Sequence, residues 1–500
     1  MLLALYVLAL AALALHAPAE IWDPQARTYL FLVGWIAVWR YGWGGVHLVR
    51  SCWYRGVVFP RWRRLAERLA AGEADLVPAP ELYIVITSYR IPTDTTAAAF
   101  AAALAAARRH PGSVTIVASI VEMADQRLIK QLVVARAAAN TRLLIVREPG
   151  VGKRDGLAAA LRAVSRHMPS PDALVLVQDG DTVLPPDCFA RTAPLFRLLP
   201  RLAALTTDED CIVPGAGPVL RAWHRLRFAQ RHVLMSSMGL SGRLITMTGR
   251  MSIYRVGVAT DPSFIAAIER DRLDHWRLGT IRLLTGEDKS AAWWLLARGR
   301  RMLYVPDVRV LTIEQPPAPG LLGAATPLMR RWFGNMLRAS GRCIALGPRR
   351  IGWFTWWCLI DQRISMWTPL VGPIAVALLV LTVSPAFLYA YLLWVMGTRL
   401  IQALLLRTAR PVIDGLWPPL LYFSQVYGAL VKTWVLFRLD RQRWTRQGIS
   451  RGPAADAPGA FLRAASSWAL HLLALATLAA AVAWATGALP LPAASFAALG

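Results

Sequence analysis

Cysteine and lysine are both scarce in this sequence, and neither occurs in a pattern typical of a metal knuckle or a nucleic-acid-binding module. The five cysteines are scattered along 500 residues without disulfide or zinc-ligand spacing, which indicates reduced, structural thiols. Nearly all basic side chains are arginine, and lysine occurs only at positions 130, 153, 289 and 432. The net charge is +26, but no zinc-finger or aromatic-basic RNA-binding signature accompanies it, so we expect no nucleic-acid partner.

The chain is nevertheless both strongly apolar and strongly basic. Hydrophobic residues make up 56% of it, and the mean hydropathy is +0.40. These two properties can coexist only if apolar and basic residues occupy separate blocks. The composition therefore argues against a wholly soluble protein and favours a membrane protein with basic cytoplasmic loops, an anionic substrate, or both.

Residues 1–50 contain two apolar segments and predict two N-terminal transmembrane helices. The first, MLLALYVLALAALALHAPA, could also be a cleaved signal peptide, since small residues precede Glu20. The second, residues 29–49, is followed by a basic cytosolic linker at 51–79. The positive-inside rule places this linker in the cytoplasm whether or not the first segment is cleaved.

Apolar stretches return near the C-terminus, after a predicted region of interfacial amphipathic helices at 320–362. A C-terminal transmembrane region at 363–500 follows, and its segments long enough to cross a bilayer are 366–383, 386–406 and 467–489. A further stretch, 416–437, is ambiguous. If it crossed the membrane, the basic loop at 438–450 would lie outside the cell. The charge rule therefore favours an interfacial segment there and five spans in total, with six as the alternative. Arg40 and Arg399 fall inside predicted spans, where ionisable residues usually face a protein interior or a water-filled path.

The sequence of residues 80–315 predicts a soluble α/β domain. Short apolar runs typical of buried strands, LYIVIT, SVTIVASI, RLLIVRE and ALVLVQD, alternate with alanine-rich stretches typical of helices. This alternation predicts βαβ units and a mostly parallel sheet with flanking helices. In such sheets, ligands bind at the carboxyl ends of the strands.

Two aspartates lie at one of these predicted strand ends. Asp179 and Asp181 occur in the stretch LVQDGDTVLP, one residue apart, where their like charges would repel each other. A divalent cation would offset that repulsion, because hard cations prefer oxygen ligands. The alternative is an ordinary turn, since Asp-Gly is a common turn signal.

Three further motifs have a possible chemical role. Lys153 and Arg154 open a predicted helix after GVG, a position that suits phosphate, although the spacing is not that of a P-loop. Glu287 and Asp288 follow an apolar run in LLTGEDK, and they could also be acids that stabilise a helix N-terminus. The motif Arg331–Trp332 precedes the C-terminal spans and could also be an anchor at the membrane surface.

The order and spacing of these motifs resemble those of processive family 2 glycosyltransferases, which include cellulose, chitin and hyaluronan synthases. Longer stretches, such as PGVGKRDGLAAALRAVSRHMP, WHRLRFAQRHVLMSSMGLS and FRLDRQRWTRQ, resemble the catalytic subunits of bacterial alginate (mannuronan) synthases. The resemblance extends from about residue 28 to 450. It implies a cytosolic GT-A-like glycosyltransferase domain inserted between α-helical transmembrane segments.

The resemblance also implies roles for individual residues. Asp179 and Asp181 would bind a divalent metal, Mg²⁺ or Mn²⁺, on the nucleotide diphosphate. Asp288, with Glu287 beside it, would supply the catalytic base. The expected substrate-binding residues are Lys153, Arg154, Glu122, Arg331, Trp332, Arg443 and Trp444.

This chain departs from the family pattern at two places. Leu328 stands where the family has the glutamine of Gln-X-X-Arg-Trp. The usual Asp-Asp-Gly turn after the second strand is replaced by SIVEMADQ, so Glu122 or Asp125 would take over a nucleotide contact. The pair Arg443–Trp444 resembles the start of a cytosolic gating loop, with a basic juxtamembrane loop as the alternative.

By the same resemblance, the enzyme is a hexosyltransferase that polymerises mannuronate from GDP-mannuronate into β-1,4-linked polymannuronate and passes it across the bacterial inner membrane. Its catalytic domain would lie in the cytoplasm. A co-polymerase subunit with a cyclic-di-GMP-binding domain and an envelope export complex are the implied partners. The alternative is a hyaluronan-, cellulose- or chitin-like synthase that uses a UDP-sugar.

Overall fold

The computed structural model describes residues 1–22, 24–72, 78–444, 448–452 and 459–489. These residues form two compact units. The larger unit contains residues 47–360 and the described part of 439–453, and the smaller one contains residues 1–46, 361–438 and the described part of 454–500.

The larger unit is built on one extended sheet and two small hairpins. Its strands are β1 (Leu82–Ser88), β2 (Val114–Ile120), β3 (Thr141–Arg147), β4 (Leu174–Asp179), β5 (Thr182–Val183), β6 (Leu202–Ile212), β7 (Ser252–Arg255), β8 (Arg272–His275), β9 (Gly279–Arg282), β10 (Arg301–Ile313), β11 (Gln442–Trp444) and β12 (Ile449–Arg451). The main sheet has the order β3-β2-β1-β4-β7-β6-β10-β5, while β8–β9 and β11–β12 form the separate hairpins.

Helices cover this sheet and build the smaller unit. They are α1 (Leu2–Leu15), α2 (Pro24–Trp53), α3 (Phe59–Gly72), α4 (Thr93–Arg108), α5 (Met123–Arg136), α6 (Lys153–Arg166), α7 (Cys188–Leu198), α8 (Pro218–Gly239), α9 (Val256–Ala259), α10 (Pro262–Glu269), α11 (Glu287–Ala297), α12 (Leu321–Ala345), α13 (Gly347–Ile351), α14 (Trp353–Ile364), α15 (Thr368–Thr382), α16 (Ala386–Leu405), α17 (Trp417–Leu436) and α18 (Ala460–Ala485).

The four apolar runs that the sequence marks as strands form β1 to β4, and these strands are parallel to one another. Their side chains are apolar on both faces because helices pack against both sides of the sheet. Strand β7 runs antiparallel between β4 and β6, so the sheet is mixed in its second half. The mostly parallel α/β architecture is therefore confirmed, and β7 is an addition that strand–helix alternation did not predict.

The parallel strands bring several chain segments to one edge of the sheet. Thr87 of β1 lies opposite Asp179 of β4, so the carboxyl ends of these strands are level. The Gly180 amide donates to the Thr87 carbonyl over 3.0 Å, and the Ile313 amide donates to the Asp181 carbonyl over 2.9 Å. Both acidic residues of the DGD motif are therefore fixed to neighbouring strands through the backbone.

The described chain contains three helical stretches that are long and apolar enough to cross a membrane: Trp353–Thr382, Ala386–Thr408 and Ala460–Ala485. They include most of the three predicted C-terminal spans. Helix α1 is apolar but has only 14 residues. Helix α17 packs against α15 and α16 and covers the ambiguous stretch. The predicted interfacial placement of that stretch, like the predicted division into domains, stays a prediction.

Within the smaller unit, a buried apolar cluster joins three helices. Val371 and Ala375 of α15 pack with Val482 of α18, and Ile36 of α2 packs against them. The two arginines that the sequence placed inside spans both have partners in the protein. Arg40 is ion-paired with Asp361, and Arg399 donates to the Tyr41 hydroxyl over 2.7 Å.

Candidate active site

Lys153 connects the two acidic motifs at the carboxyl edge of the sheet. It is the first residue of α6, and its ammonium group forms ion pairs with both Asp179 and Glu287. Burial by itself lowers the pKa of Lys153, but the two carboxylates outweigh burial and the net pKa is raised. Lys153 is therefore a fixed cation between the two motifs.

The loop before β7 lies directly against this ion pair. A Cβ atom at Gly249 would stand 2.9 Å from the Lys153 Nζ and 3.1 Å from the nearer Asp179 carboxylate oxygen. Only glycine permits so close an approach of the backbone. The residues on either side of Gly249 are thereby held beside the DGD motif, although the sequence analysis did not predict a role for them.

Glu287 and Asp288 form the first turn of α11, after Gly286 with a φ of +89°. Glu287 is buried, and Lys153 lowers its pKa although burial opposes this. Asp288 is only half-buried, and its Oδ2 accepts a hydrogen bond of 2.9 Å from the Thr246 hydroxyl. Of the two acids, Asp288 is therefore the more accessible, whereas Glu287 is engaged in holding Lys153.

Arg154 does not have the surroundings that the predicted substrate contact requires. Its side chain is 2% exposed, and it donates to the carbonyls of Ile268 and Thr285 over 2.6 and 2.9 Å. A third bond of 3.1 Å goes to the Ser290 hydroxyl. Because only the aliphatic part of an arginine side chain is apolar, a buried guanidinium requires such hydrogen-bond partners. Arg154 therefore holds the segment that carries Glu287 and Asp288, and a substrate contact of Arg154 stays a prediction.

The motif Arg331–Trp332 lies on α12, and both side chains are half-buried. The Trp332 ring stacks on Trp223 of α8 with centroids 5.9 Å apart and planes inclined by 24°. The guanidinium of Arg227 lies 3.5 Å from the centroid of the Trp332 ring. Leu328, which replaces the family's glutamine, is 3% exposed and belongs to the apolar core.

Glu122 and Asp125 differ in their surroundings. Glu122 precedes α5 and is exposed. Asp125 is buried, and it accepts a hydrogen bond of 3.5 Å from Ser88 at the end of β1. Burial and the nearby Glu122 raise the pKa of Asp125. The structure thus brings Asp125 to the carboxyl end of β1, and a nucleotide contact of Glu122 stays a prediction.

The loop with Arg443 and Trp444 forms a hairpin in the larger unit, in which Arg443 pairs with Ser450. Its anchor is Gln442, whose side chain accepts from the Leu284 amide over 3.0 Å and donates to the Arg282 carbonyl over 2.8 Å. The Trp444 ring lies 6.1 Å from that of Tyr89. Residues 445–447 of the loop lie outside the described residues.

Motifs in the sequence did not predict Thr246, Gln442 and the cations of α8 around Trp332 as residues near the site. Thr246 and Gln442 act through contacts with residues 42 and 158 positions away, and no local pattern marks such partners. The arginines of α8 could have been predicted from the sequence, because WHRLRFAQRH repeats basic residues at helical spacing within a domain of mixed charge.

The donor set at the DGD motif suits a hard divalent cation. Asp181 is buried, while the Asp179 side chain is 30% exposed. Among the described residues there is no group of three or more histidine, cysteine or acidic side chains arranged to hold a metal. Mg²⁺ is usually bound by one or two carboxylates together with substrate phosphates, and two neighbouring aspartates are compatible with that mode.

Two acidic motifs and a lysine therefore meet at the carboxyl edge of an α/β sheet, where proteins of this fold class bind their ligands. Residues 78–335 match the family model described as glycosyltransferase like family 2. The glycosyltransferase alg8 of Pseudomonas syringae pv. tomato is 45% identical over 443 residues, which are 88% of this chain and 89% of that protein. The glycosyltransferase alg8 of Azotobacter vinelandii is 44% identical over 451 residues, 89% of each chain.

The chain therefore belongs to the family 2 glycosyltransferases, and this membership confirms the resemblance and the GT-A-like fold predicted from the sequence. Among solved structures it is similar to a mannosyltransferase, PcManGT from Pyrobaculum calidifontis, in complex with GDP-Man and Mn²⁺. That protein is 16% identical, the TM-score is 0.45, and the match covers 78% of this chain and 97% of that chain.

Proposed function

We propose that this glycosyltransferase polymerises mannuronate from GDP-mannuronate into β-1,4-linked polymannuronate, with inversion at the anomeric carbon. The observation that carries the proposal is the double ion pair of Lys153 with Asp179 and Glu287, which gathers the two acidic motifs into one site. The similarity of this chain to the alg8 glycosyltransferases supports alginate as the product class. The charge of +26 suits a donor with a carboxylate besides its diphosphate.

Asp288 is the proposed base. It takes the proton of the acceptor hydroxyl while that oxygen attacks the anomeric carbon and the bond to the diphosphate breaks. The hydrogen bond from Thr246 fixes the orientation of the carboxylate and leaves its Oδ1 without a hydrogen-bond partner among the described residues. Glu287 acts indirectly, because it holds Lys153.

The reaction also requires that the negative charge on the diphosphate leaving group be stabilised. Lys153 and Arg331 are pre-placed cations that need not reorganise as the leaving group forms. Asp179 and Asp181 would hold a divalent cation, Mg²⁺ or Mn²⁺, which when bound offsets the charge of the diphosphate. The nucleotide would lie near the carboxyl ends of β1 and β2, where Glu122 and Asp125 are the available acids.

The acceptor would lie against Trp332, and the Arg443–Trp444 hairpin would close over the site. Support for the role of the hairpin comes from Gln442, whose two hydrogen bonds attach the hairpin to Arg282 and Leu284, shortly before Glu287 and Asp288.

We place the enzyme in the bacterial inner membrane as a multi-pass protein with its catalytic domain in the cytoplasm. The three apolar helical stretches and the basic segment after α2 support this. A co-polymerase subunit that binds cyclic-di-GMP and an envelope export complex are part of the proposal through the family resemblance alone.

The test uses membranes that contain the full chain together with its partner subunit. Polymer should form from GDP-mannuronate, and analysis should find β-1,4-linked mannuronate. No polymer should form from UDP-glucose, or from UDP-glucuronate together with UDP-N-acetylglucosamine. A neutral or amino-sugar polymer from those UDP donors would refute the choice of sugar and leave the glycosyltransferase assignment intact.

A further inference from the structure

A cluster of charged side chains lies between Trp332 and the DGD motif, and the reaction steps above do not use it. Three arginines belong to it: Arg227 and Arg231 on α8, and Arg250 immediately after Gly249. Its two acids are Glu209 on β6 and Glu314 just after β10. We call these five residues, together with His224, the arginine cluster.

Both acids of the cluster are ion-paired within it. Arg250 donates to Glu209 over 3.1 Å and also pairs with Glu314. Arg231 forms a second ion pair with Glu209 over 3.3 Å. Three guanidinium groups therefore share two carboxylates, and one positive charge is left in excess.

That excess charge belongs to Arg227. Its only hydrogen-bond partner within the described chain is the Nδ1 of His224, at 3.2 Å. His224 is fully buried and uncharged, because burial and the neighbouring Arg227 lower its pKa to about 3. Its other ring nitrogen, Nε2, is buried without a hydrogen-bond partner among the described residues. Burial, together with the nearby Arg250 and Arg231, lowers the pKa of Arg227 to about 9, although the charge of Glu314 opposes this.

The cluster borders both sides of the reaction centre. Arg227 lies on the ring of Trp332, 3.5 Å from its centroid, on the proposed acceptor side. Arg250 follows Gly249, whose backbone contacts Lys153 and Asp179 on the donor side. Arg227 is half-buried, and a partly desolvated cation without an ion pair is costly unless a ligand supplies an anion.

We propose that Arg227, supported by Arg250 and His224, binds the carboxylate of a hexuronate residue at the reaction centre and so selects uronate over neutral hexose. A carboxylate has one negative charge and a planar pair of oxygens, which match the single excess charge and the fork of a guanidinium. The diphosphate is a poorer fit, since it is multiply charged and Lys153 already lies beside the DGD motif. This inference rests on the proposed function, and the carboxylate belongs either to the donor sugar or to the last sugar of the growing chain.

The experiment compares Arg227→Gln with Arg225→Gln, a matched control on the same helix with an exposed side chain. Each variant is prepared as the full chain with its partner subunit. Displacement of labelled GDP gives the affinities for GDP, GDP-mannose and GDP-mannuronate, and electrophoresis gives the length of the polymer. GDP-mannose is the neutral-sugar probe, in which a hydroxymethyl group replaces the carboxylate.

If the donor carboxylate is the ligand, Arg227→Gln should lose about 10- to 100-fold of the preference for GDP-mannuronate over GDP-mannose, with GDP affinity unchanged. If the chain carboxylate is the ligand, donor preference should stay and the polymer should become several-fold shorter. Arg227→Lys keeps the positive charge but loses the forked geometry of the guanidinium. Its donor preference or polymer length should therefore lie between those of wild type and Arg227→Gln.

Two results would overturn the inference. One is an Arg227→Gln variant that matches Arg225→Gln in donor preference and polymer length. The other is an equal loss of affinity for GDP and for both sugar donors, which would reveal a purely structural role. Failure of the proposed function is a separate outcome, because wild-type protein would then make no polymannuronate from GDP-mannuronate.

Discussion

Lys153 and Glu287 lie 134 residues apart in the chain and form an ion pair at the carboxyl edge of the sheet. The same ammonium group pairs with Asp179, so a single side chain connects the two acidic motifs. This contact explains why a lysine stands at the start of α6 in a chain whose basic residues are nearly all arginine. A compact ammonium fits between two carboxylates that must stay close together, whereas a guanidinium is broader and planar.

Removal of Lys153 should destabilise the protein in a pH-dependent way. In wild type the pKa of Glu287 is lowered, so its ion pair stabilises the fold above the ordinary pKa of a glutamate and is lost as the pH falls through the lowered value. In Lys153→Met, burial raises the pKa of Glu287 instead. The free energy of unfolding should fall by about 3–5 kcal/mol at pH 7 and by less at pH 5.

Thermal unfolding of the detergent-solubilised protein at both pH values measures this effect. The double variant Lys153→Met/Glu287→Leu is the control, and it should be more stable at pH 7 than Lys153→Met alone, because it buries no unpaired charge. An equal loss of stability relative to wild type at pH 5 and pH 7 would contradict the ion-pair explanation.

Asp179→Ala and Asp181→Ala should each abolish polymer synthesis while the protein still inserts in the membrane. Each change removes a carboxylate ligand of the proposed metal, and the backbone bonds at Gly180 and Asp181 do not depend on either side chain. Asp172→Ala, an exposed aspartate just before β4, should keep wild-type activity. Near-normal, metal-dependent synthesis by Asp179→Ala or Asp181→Ala would show that the metal lies elsewhere.

Asp288→Asn should lower turnover by about 10²- to 10⁴-fold and leave the affinity for the nucleotide sugar unchanged. An amide keeps the shape of the side chain and can still accept the hydrogen bond from Thr246, but it cannot take a proton. Single-turnover kinetics and donor binding separate the two effects. A variant with weaker donor binding and normal turnover would rule Asp288 out as the base.

Arg154→Met should reduce stability and turnover more than affinity for GDP. Its three hydrogen bonds hold the segment before and within α11, and their loss leaves the buried carbonyls of Ile268 and Thr285 unpaired. The expected loss is about 3 kcal/mol in the free energy of unfolding. If GDP affinity fell strongly while the melting temperature stayed constant, Arg154 would be a direct substrate contact, as the sequence first suggested.

A cysteine at Ser450 should be inaccessible from outside intact cells. Ser450 is exposed in the hairpin that belongs to the catalytic unit, and the five-span topology places it in the cytoplasm. The variant Ser450→Cys is made in a Cys52→Ser background, because Cys52 is exposed and the other four cysteines are buried. An impermeant maleimide should label it only after the cells are permeabilised.

The matched control is Leu489→Cys in the same background. Leu489 follows α18, is 51% exposed, and lies outside the cell if there are five spans. It should therefore be labelled in intact cells. Labelling of Ser450→Cys without permeabilisation would favour a sixth span at 416–437 and would remove the gating role proposed for Trp444.

Local patterns in the sequence were enough to predict β1 to β4 and the place of Asp179 and Asp181. Parallel strands buried on both faces are continuously apolar, and strand ends are marked by polar and glycine residues. Sequence patterns could not predict strand β7, because it is inserted antiparallel from a distant part of the chain. Sequence patterns also could not distinguish a phosphate contact of Arg154 from a role in holding the α11 segment, since a helix N-terminus can face either a ligand or the protein.

By itself, the sequence determined the chemistry that is available: two carboxylate pairs, a lysine, an Arg-Trp motif and apolar segments long enough to cross a membrane. Their order along the chain was also sufficient to predict the family. Only the tertiary structure decided which groups meet: Lys153 with both acidic motifs, Thr246 with Asp288, Gln442 with residues 282–284, and Arg227 with Trp332. The physical reason is that hydrophobic periodicity is a local property of the chain, whereas hydrogen bonds and ion pairs depend on which distant segments the packed sheet and helices bring within a few ångströms.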